Sequence, residues 1–443
     1  MIANKHVCQL LVFLLISAQQ AFAQDVLIYK NVKLEEAIGL ALQHNKKLKI
    51  KNINADVSKL REKDLKNEKL PDIEFLTSFS VLSNINQYQS GVTNPSTSYE
   101  VPRIKYNFTL EASIPIYTGG KLKAEEEKAE VETEIADLRV KKEERDVKLE
   151  IITAYLNALH IQEQQALISE KMHEDTLVIR QTEKLKLNGA VTYNDVLRTK
   201  LQLSNHQMAY SELEKDYAIL EHQIKTILAL PEEASFTIST KELLSADSYT
   251  AELNDLVEEA YQKSEVLHIN KKEIELKELD KKIVRSNVLP QISGGGEYGY
   301  NYPNFMFFPP EPYLYRFGAV GVNLKMPLSN FYKNKVKMKM VNKQISQAKI
   351  EVEEREELIR HDVFAAQRKL DEVNKKIKIA EEAIGQAKEN YRIVKVKYSN
   401  QLSLITELID ADNAWLEAES NLISLQINRQ LKYYQLQYIL GNI

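Results

Sequence analysis

The strongest constraint on what this chain can fold into is an internal repeat. Leu70-Pro71-Asp72-Ile73 returns later as Leu289-Pro290-Gln291-Ile292. At the same offset upstream, Asn45 to Ile50 aligns with Ser264 to Ile269, and Ala41 with Ala260. Downstream, at a slightly smaller offset, Ile114-Pro115-Ile116 aligns with Met326-Pro327-Leu328, and Ile227-Leu228 with Ile439-Leu440. The offset changes between the paired prolines, so one loop there is shorter in the second copy. Two tandem copies differing by a loop predict one architecture built from two pseudo-equivalent units.

Each copy carries a very long helical segment. From Lys121 to Asn188 there is no Gly or Pro, and from Lys333 to Asn400 only Gly385. About 70 residues of helix, at 1.5 Å each, reach roughly 100 Å. That length lies far beyond an ordinary globular helix and points to a coiled coil or another extended helical assembly. Ile151, Ile152, Tyr155, Leu156 and Leu159 recur at helical spacing, while Lys123-Ala-Glu-Glu-Glu-Lys reads as a solvated helix face. After Asn188-Gly189 and after Ser399-Asn400 a shorter helix follows. Gly and Asn tolerate the left-handed conformation that a helix-hairpin tip requires.

The segments before the long helices alternate with period two. Tyr106, Phe108, Leu110, Ala112, Ile114 and Ile116 are interleaved with Asn107, Thr109, Glu111 and Ser113. Ile73, Phe75, Phe79 and Val81 alternate with polar residues in the same way, as do Ile292 to Tyr302 and Val320 to Met326. Such alternation over about ten residues marks a strand with one polar and one apolar face, long enough to cross a bilayer when tilted. Each copy carries two such strands. Aromatic residues crowd the second hairpin, from Tyr298 to Phe317, as in the girdles at membrane interfaces. Long loops, roughly 84–103 and 303–314, connect the strands and suit the outer face of an outer-membrane barrel.

The N-terminus supplies the compartment. Lys5, the apolar run Leu10 to Ile16 and Ala21-Phe22-Ala23 before Gln24 read as a secretory signal peptide over residues 1–23. Cys8, the only cysteine, falls inside that signal, which leaves no disulfide or thiol chemistry for the mature chain. No other stretch is long and apolar enough for a transmembrane helix. A net charge of −4 gives no argument for nucleic acid as a partner. Four strands cannot close a barrel alone, and an open edge in hydrocarbon leaves costly unpaired backbone groups. The edges must therefore pair with other protomers. Three copies would supply twelve strands, although physics alone does not fix that number.

These residues resemble the TolC-like outer membrane efflux proteins. The resemblance runs from about residue 30 to the C-terminus. It is carried by Leu34-Glu-Glu-Ala37-Ile38 with Ala41-Leu42 and Asn45, by the Leu-Pro before each first strand, and by Pro115 and Pro327. It continues through Leu187 to Thr192 with Asp195-Val196-Leu197, and through Tyr398-Ser399-Asn400 with Glu407-Leu408. The resemblance implies a mainly α fold with a membrane β-barrel portion: a long α-helical barrel plus four transmembrane β-strands per chain, closing a twelve-stranded barrel in a homotrimer. It implies a location in the outer membrane, in contact with its lipid and extending into the periplasm. It further implies the exit duct of a tripartite efflux pump or type I secretion system. The partners would be a periplasmic adaptor (membrane fusion) protein and an inner-membrane transporter of RND, ABC or MFS type. A structural coiled-coil protein of the periplasm or cell surface is the alternative, and heat-modifiable migration would separate the two.

The expected organisation is a first repeat over 24–230, with hairpin 72–117, long helix 121–188 and helix 191–230. An equatorial linker follows over 231–252, containing the strand-like Ser235 to Ser239. The second repeat spans 253–443, with hairpin 291–328, long helix 333–399 and helix 402–440. Ile73, Phe75, Phe108, Leu110, Val320 and Val322 are expected to face lipid, and arginine at Thr109 to be tolerated. By resemblance, adaptor contacts fall at Asn188, Gly189, Val191, Ser399, Asn400 and Leu402. A periplasmic gate is expected from Glu407 and Asp410, three residues apart on one helix face. Carboxylates converging around a trimer axis repel one another and attract cations. Asp195 and Arg198 occupy the matching places in the first copy, and Arg198 offers a helix-to-helix partner for the acidic face.

No enzymatic constellation competes with this reading. Gly119-Gly120-Lys121 lacks the flanking residues of a phosphate loop and reads as a strand-to-helix turn. Arg360-His361-Asp362 inverts the kinase order. His160, His173, His206 and His222 lack metal-site spacing and read as surface or inter-helix residues, and Trp415 as a packing residue. No catalytic residue, metal site or cofactor is expected.

Overall fold

The two longest helices of this chain start after a glycine pair or a proline and stop at an asparagine: Gly119-Gly120 and Asn188 bound one, Pro327 and Asn400 the other. The computed structural model describes residues 28–239 and 252–443. The signal peptide expected over 1–23, with Cys8, lies outside those residues, as do residues 240–251 of the expected linker.

In chain order, β1 (Ile28–Val32), α1 (Leu34–His44) and α2 (Lys46–Asn67) lead to β2 (Asp72–Val81). A small hairpin, β3 (Ile85–Tyr88) with β4 (Ser96–Tyr99), occupies the loop before β5 (Ile104–Tyr117). Then come α3 (Lys121–Leu187), α4 (Tyr193–Ile227) and β6 (Ser235–Ile238). The second half repeats the plan with α5 (Leu253–Lys263), α6 (Glu265–Ser286), β7 (Gln291–Tyr302), β8 (Tyr315–Lys325), α7 (Asn330–Ser399) and α8 (Ile405–Leu440). Gly119 and Gly120 both take positive φ and turn the chain from β5 into α3. A Cβ on Gly119 would come within 2.9 Å of the Ser286 carbonyl oxygen, so only glycine fits that corner.

The chain divides into two units, with α3 and α7 contributing to both. One unit takes in the described residues up to Lys49, those of Glu143–Ser264, and Leu358–Ile443. Its core holds the apolar series Ile151, Ile152, Tyr155, Leu156 and Leu159, all of which are buried. Tyr155 Oη donates to the carbonyls of Val32 and Ser239 at 3.0 and 3.1 Å, which fastens α3 to the ends of β1 and β6. Those two strands pair in parallel. The motif residues of α1 have a packing reason, since Leu34, Ala37 and Ala41 are buried in the same core. Asn45 caps α2: its Oδ1 accepts from the backbone N–H of Lys47 and Leu48, and its amide donates to the Ile227 carbonyl at 2.9 Å.

The other unit comprises Ile50–Lys142 and Glu265–Glu357. Its helices pack side by side. Val131 and Ile135 of α3 meet Ile269 and Leu279 of α6. Lys59–Asp137 joins α2 to α3, Lys69 in the turn after α2 pairs with Glu126 of α3, and Lys128–Asp280 joins α3 to α6. Exposed pairs like these contribute about 0–1 kcal/mol each, so the apolar contacts carry more of the cohesion. The remaining element is a four-stranded antiparallel sheet in the order β2-β5-β7-β8.

Candidate functional site: the amphipathic sheet and the helix-hairpin tips

Strand register sorts the side chains of the sheet by chemistry. Phe75 lies opposite Leu110, Leu110 opposite Tyr298, and Tyr298 opposite Gly318. The next row on that face is Ile73, Ala112, Gly296 and Val320. Because successive side chains alternate, Phe79, Phe108 and Val322 share this face too. Its large apolar groups are exposed, Phe75 by 66% and Val320 by 94%. The opposite face carries Glu74, Glu111 and Glu297 directly abreast, with Asn107 facing Asn301 beyond them. Thr109 lies on that face but is buried opposite Gly299, so the expected tolerance of arginine there does not suit its packing. Exposed Glu111 is the better comparison. The four strands contain 10, 14, 12 and 11 residues, enough for each to span a bilayer at a tilt. Among the described residues no further strand lies beside the edges, β2 and β8.

Two helix-hairpin tips complete the picture. At the first, Gly189 adopts φ +74, and Gly189 and Ala190 N–H donate to the carbonyls of Lys186 and Leu185. Thr192 then caps α4 in a reciprocal box with Asp195, whose Oδ2 accepts from the Thr192 N–H at 2.7 Å. At the second tip the left-handed residue is Gln401 (φ 61), not Asn400; the Asn400 amide instead donates to the Val396 carbonyl. Asn188, Gly189, Ser399, Asn400 and Leu402 are exposed and Val191 is half-buried. Leu187 (84% exposed) and Leu402 (76%) leave apolar side chains in solvent, one at each tip.

Among the described residues no hydrogen bond or ion pair joins Glu407 or Asp410 to Asp195 or Arg198. Glu407 and Asp410 are both exposed, while Ile405, Leu408 and Ala411 turn the other side of α8 into a buried cluster with Tyr391 and Tyr398. Ser403 Oγ donates to Glu407 Oε2. Asp195 is held by Thr192, and exposed Arg198 makes no ion pair among the described residues.

A family model described as outer membrane efflux protein matches residues 37–230 and 256–442. The chain belongs to that family. Among solved structures, it is similar to the outer-membrane channel OprN at 15% identity and a TM-score of 0.76, covering 93% of this chain and 90% of that one. It is similar to VceC of Vibrio cholerae at 16% identity and 0.75, covering 92% and 96%. The CmeC channel of Campylobacter jejuni gives 13% identity and 0.75, covering 92% and 85%. A comparison with curated proteins finds no match. The likenesses establish the fold class, mainly α with a membrane β-barrel portion to which this chain supplies four strands. The protein is an outer-membrane efflux channel component that extends into the periplasm, in a family of channels rather than enzymes. Channels of this family form trimers and work with adaptor proteins.

Within this efflux protein, two buried polar groupings escaped sequence reasoning. Lys171 of α3 has a side chain only 2% exposed, yet its Nζ donates to Glu174 at 2.9 Å and to Asp412 of α8 at 3.0 Å. The ammonium sits 3.7 Å from the centroid of a Trp415 ring, and Tyr391 of α7 tilts against Trp415. Burial pulls the Lys171 pKa down, but the Glu174 hydrogen bond and the Asp412 charge outweigh it and hold the ammonium above its ordinary range. Nearby, His206 of α4 places Nδ1 2.6 Å from Asp175 of α3, both nearly inaccessible. Gln202 Nε2 lies 3.2 Å from His206 Nε2. His160, expected at a surface or between helices, is half-buried, and its Nε2 is 3.0 Å from Ser424 Oγ. Burial lowers its pKa. His173 and His222 are exposed. No group of residues able to hold a metal occurs among the described residues.

Proposed function

We propose that this protein is the exit duct of a tripartite efflux pump or type I secretion system. It conducts substrate passively from a periplasmic adaptor and an inner-membrane transporter, of RND, ABC or MFS type, to the exterior. Three copies close a twelve-stranded barrel, with β8 of one pairing with β2 of the next. The observation that carries this reading is the two-faced sheet. A soluble sheet would cover Phe75, Leu110 and Val320, and none is covered. Directly opposed glutamates such as Glu74, Glu111 and Glu297 repel unless water screens them. One face therefore suits lipid and the other a water-filled lumen.

The two halves act as structural repeats, each giving the barrel a hairpin and the periplasmic duct a pair of helices. The exposed Leu187 and Leu402 support adaptor docking at the tips, together with Asn188, Gly189, Val191, Ser399 and Asn400. Glu407 and Asp410 line the periplasmic entrance, with Asp195 and Arg198 beside them. Their exposed flank of α8 and the lack of an ion pair to either among the described residues favour a ring of carboxylates facing the axis. Conductance in planar bilayers tests this. Wild type should be cation-selective and blocked by multivalent cations from the periplasmic side, and Glu407→Ala with Asp410→Ala should lose the block. Unchanged selectivity and block in that double variant would remove these residues from the gate.

A further inference from the structure

α7 leaves the sheet with a charge pattern that its own unit does not answer. Between Glu311 in the β7–β8 loop and Glu351 on α7 there is no Asp or Glu. The first turns of α7 instead carry Phe331, Tyr332, Lys333, Lys335, Lys337 and Lys339, all exposed. Within the same turns Asn330 and Asn334 are anchored, their side-chain amides donating to the Asn287 and Val284 carbonyls at the α6 end at 2.8 and 2.7 Å. Several carboxylates of the same unit are engaged elsewhere, Glu126 by Lys69, Glu127 by Lys282 and Asp280 by Lys128. None of the four lysines makes an ion pair among the described residues. Cations also oppose the positive end of the helix dipole, and the first turn of α7 has no acidic residue to offset them. The lysines are therefore placed against local preference, without a partner in the unit.

Their position supplies the partner. β8 ends at Lys325 and α7 begins at Asn330, so these turns emerge directly from a strand that spans the membrane. Aromatic rings settle at headgroup level, and lysine stems lie along apolar surface while their ammonium groups reach phosphate. We propose that the first turns of α7 bind anionic phospholipid headgroups in the periplasmic leaflet of the outer membrane, forming a basic collar below the barrel. This rests on the reading of the sheet as membrane-spanning with its helices on the periplasmic side. The attraction acts within a Debye length, about 8 Å at physiological salt, and so is salt-sensitive.

The test uses the full-length protein in nanodiscs of phosphatidylcholine with a minor share of phosphatidylglycerol, extracted gently and examined by native mass spectrometry. Wild type should retain phosphatidylglycerol several-fold above its bulk share, and raised salt should erase the excess. Lys333, Lys335, Lys337 and Lys339 changed together to Gln should fall to the bulk ratio, whereas the same four changed to Arg should keep the excess. Lys369, Lys375, Lys376 and Lys378 changed to Gln remove as many charges further along α7 and should also keep it. Insertion with no excess, or an excess unaffected by the first Gln set, overturns the proposal. A weakened trimer with an unchanged lipid ratio would assign these lysines to α2 of the next copy and overturn it as well. Failure to enter nanodiscs at all would overturn the membrane reading itself, and the collar with it.

Discussion

Leu110 is the position at which the account of the sheet is most exposed to test. It lies mid-way along β5, a central strand, between Phe75 of β2 and Tyr298 of β7 on the apolar face. Its neighbour Glu111 points the other way, between Glu74 and Glu297. An arginine on a lipid-facing site near the bilayer midplane costs about 2–4 kcal/mol. Repeated in three protomers, Leu110→Arg costs of the order of 10 kcal/mol per trimer, comparable to the whole stability of a typical domain. Glu111→Arg introduces the same side chain one residue away, in water and beside two carboxylates, where it relieves repulsion. Leu110→Arg should abolish the heat-modifiable band in the outer-membrane fraction, and Glu111→Arg should leave it intact. Equal loss or equal tolerance would refute the assignment of the two faces.

Further outcomes follow from the helices. Gly189→Val should strain the first tip, since φ +74 resists a β-branched residue, and should lower stability by about 1–2 kcal/mol in chemical denaturation. Bulky polar groups at Val191 and Leu402 should abolish export while the trimer stays folded, and photo-crosslinkers there should capture the adaptor; a blank at both sites would count against tip docking. Asp412→Ala leaves the Lys171 ammonium buried without its partner on α8 and should cost about 3–5 kcal/mol, whereas Lys171→Met with Asp412→Leu should cost much less, both read from denaturant midpoints. Because burial depresses the folded-state pKa of His160 below its unfolded value, the unfolded chain binds more protons as pH falls below about 6.5. Stability should therefore decline through that range, and His160→Gln should flatten the decline in a pH series of melting temperatures.

What the sequence makes legible is whatever rests on local periodicity. The helical spacing of Ile151, Ile152, Tyr155, Leu156 and Leu159 marks residues that are in fact core, and the alternation from Tyr106 to Ile116 marks the faces of β5. Long-range pairings left weaker traces. β1 is five residues without clear alternation, and it becomes a strand because β6, far along the chain, pairs with it. The β3–β4 hairpin inside the first loop likewise owes its form to a pairing that no run of apolar residues announces. Lys171 reads as one more solvated lysine, since its partners Asp412 and Trp415 stand on another helix. His206 and Asp175 are separated by a hairpin turn, so residue spacing could not join them. At the second tip, Asn400 has the better intrinsic tolerance for positive φ, yet its amide back-bonds to α7 and the left-handed turn passes to Gln401.

The central claim is that the open edges β2 and β8 meet between copies in the outer membrane, and thiol cross-linking tests it most directly. The mature chain is expected to have no cysteine, so one can be placed on each edge, at Thr77 and at Val320. Treatment of intact cells with a short bifunctional thiol reagent should give covalent dimers and trimers in the outer-membrane fraction, and neither single-cysteine variant should do so. Monomers alone, or a protein recovered in the soluble periplasmic fraction, would contradict the account.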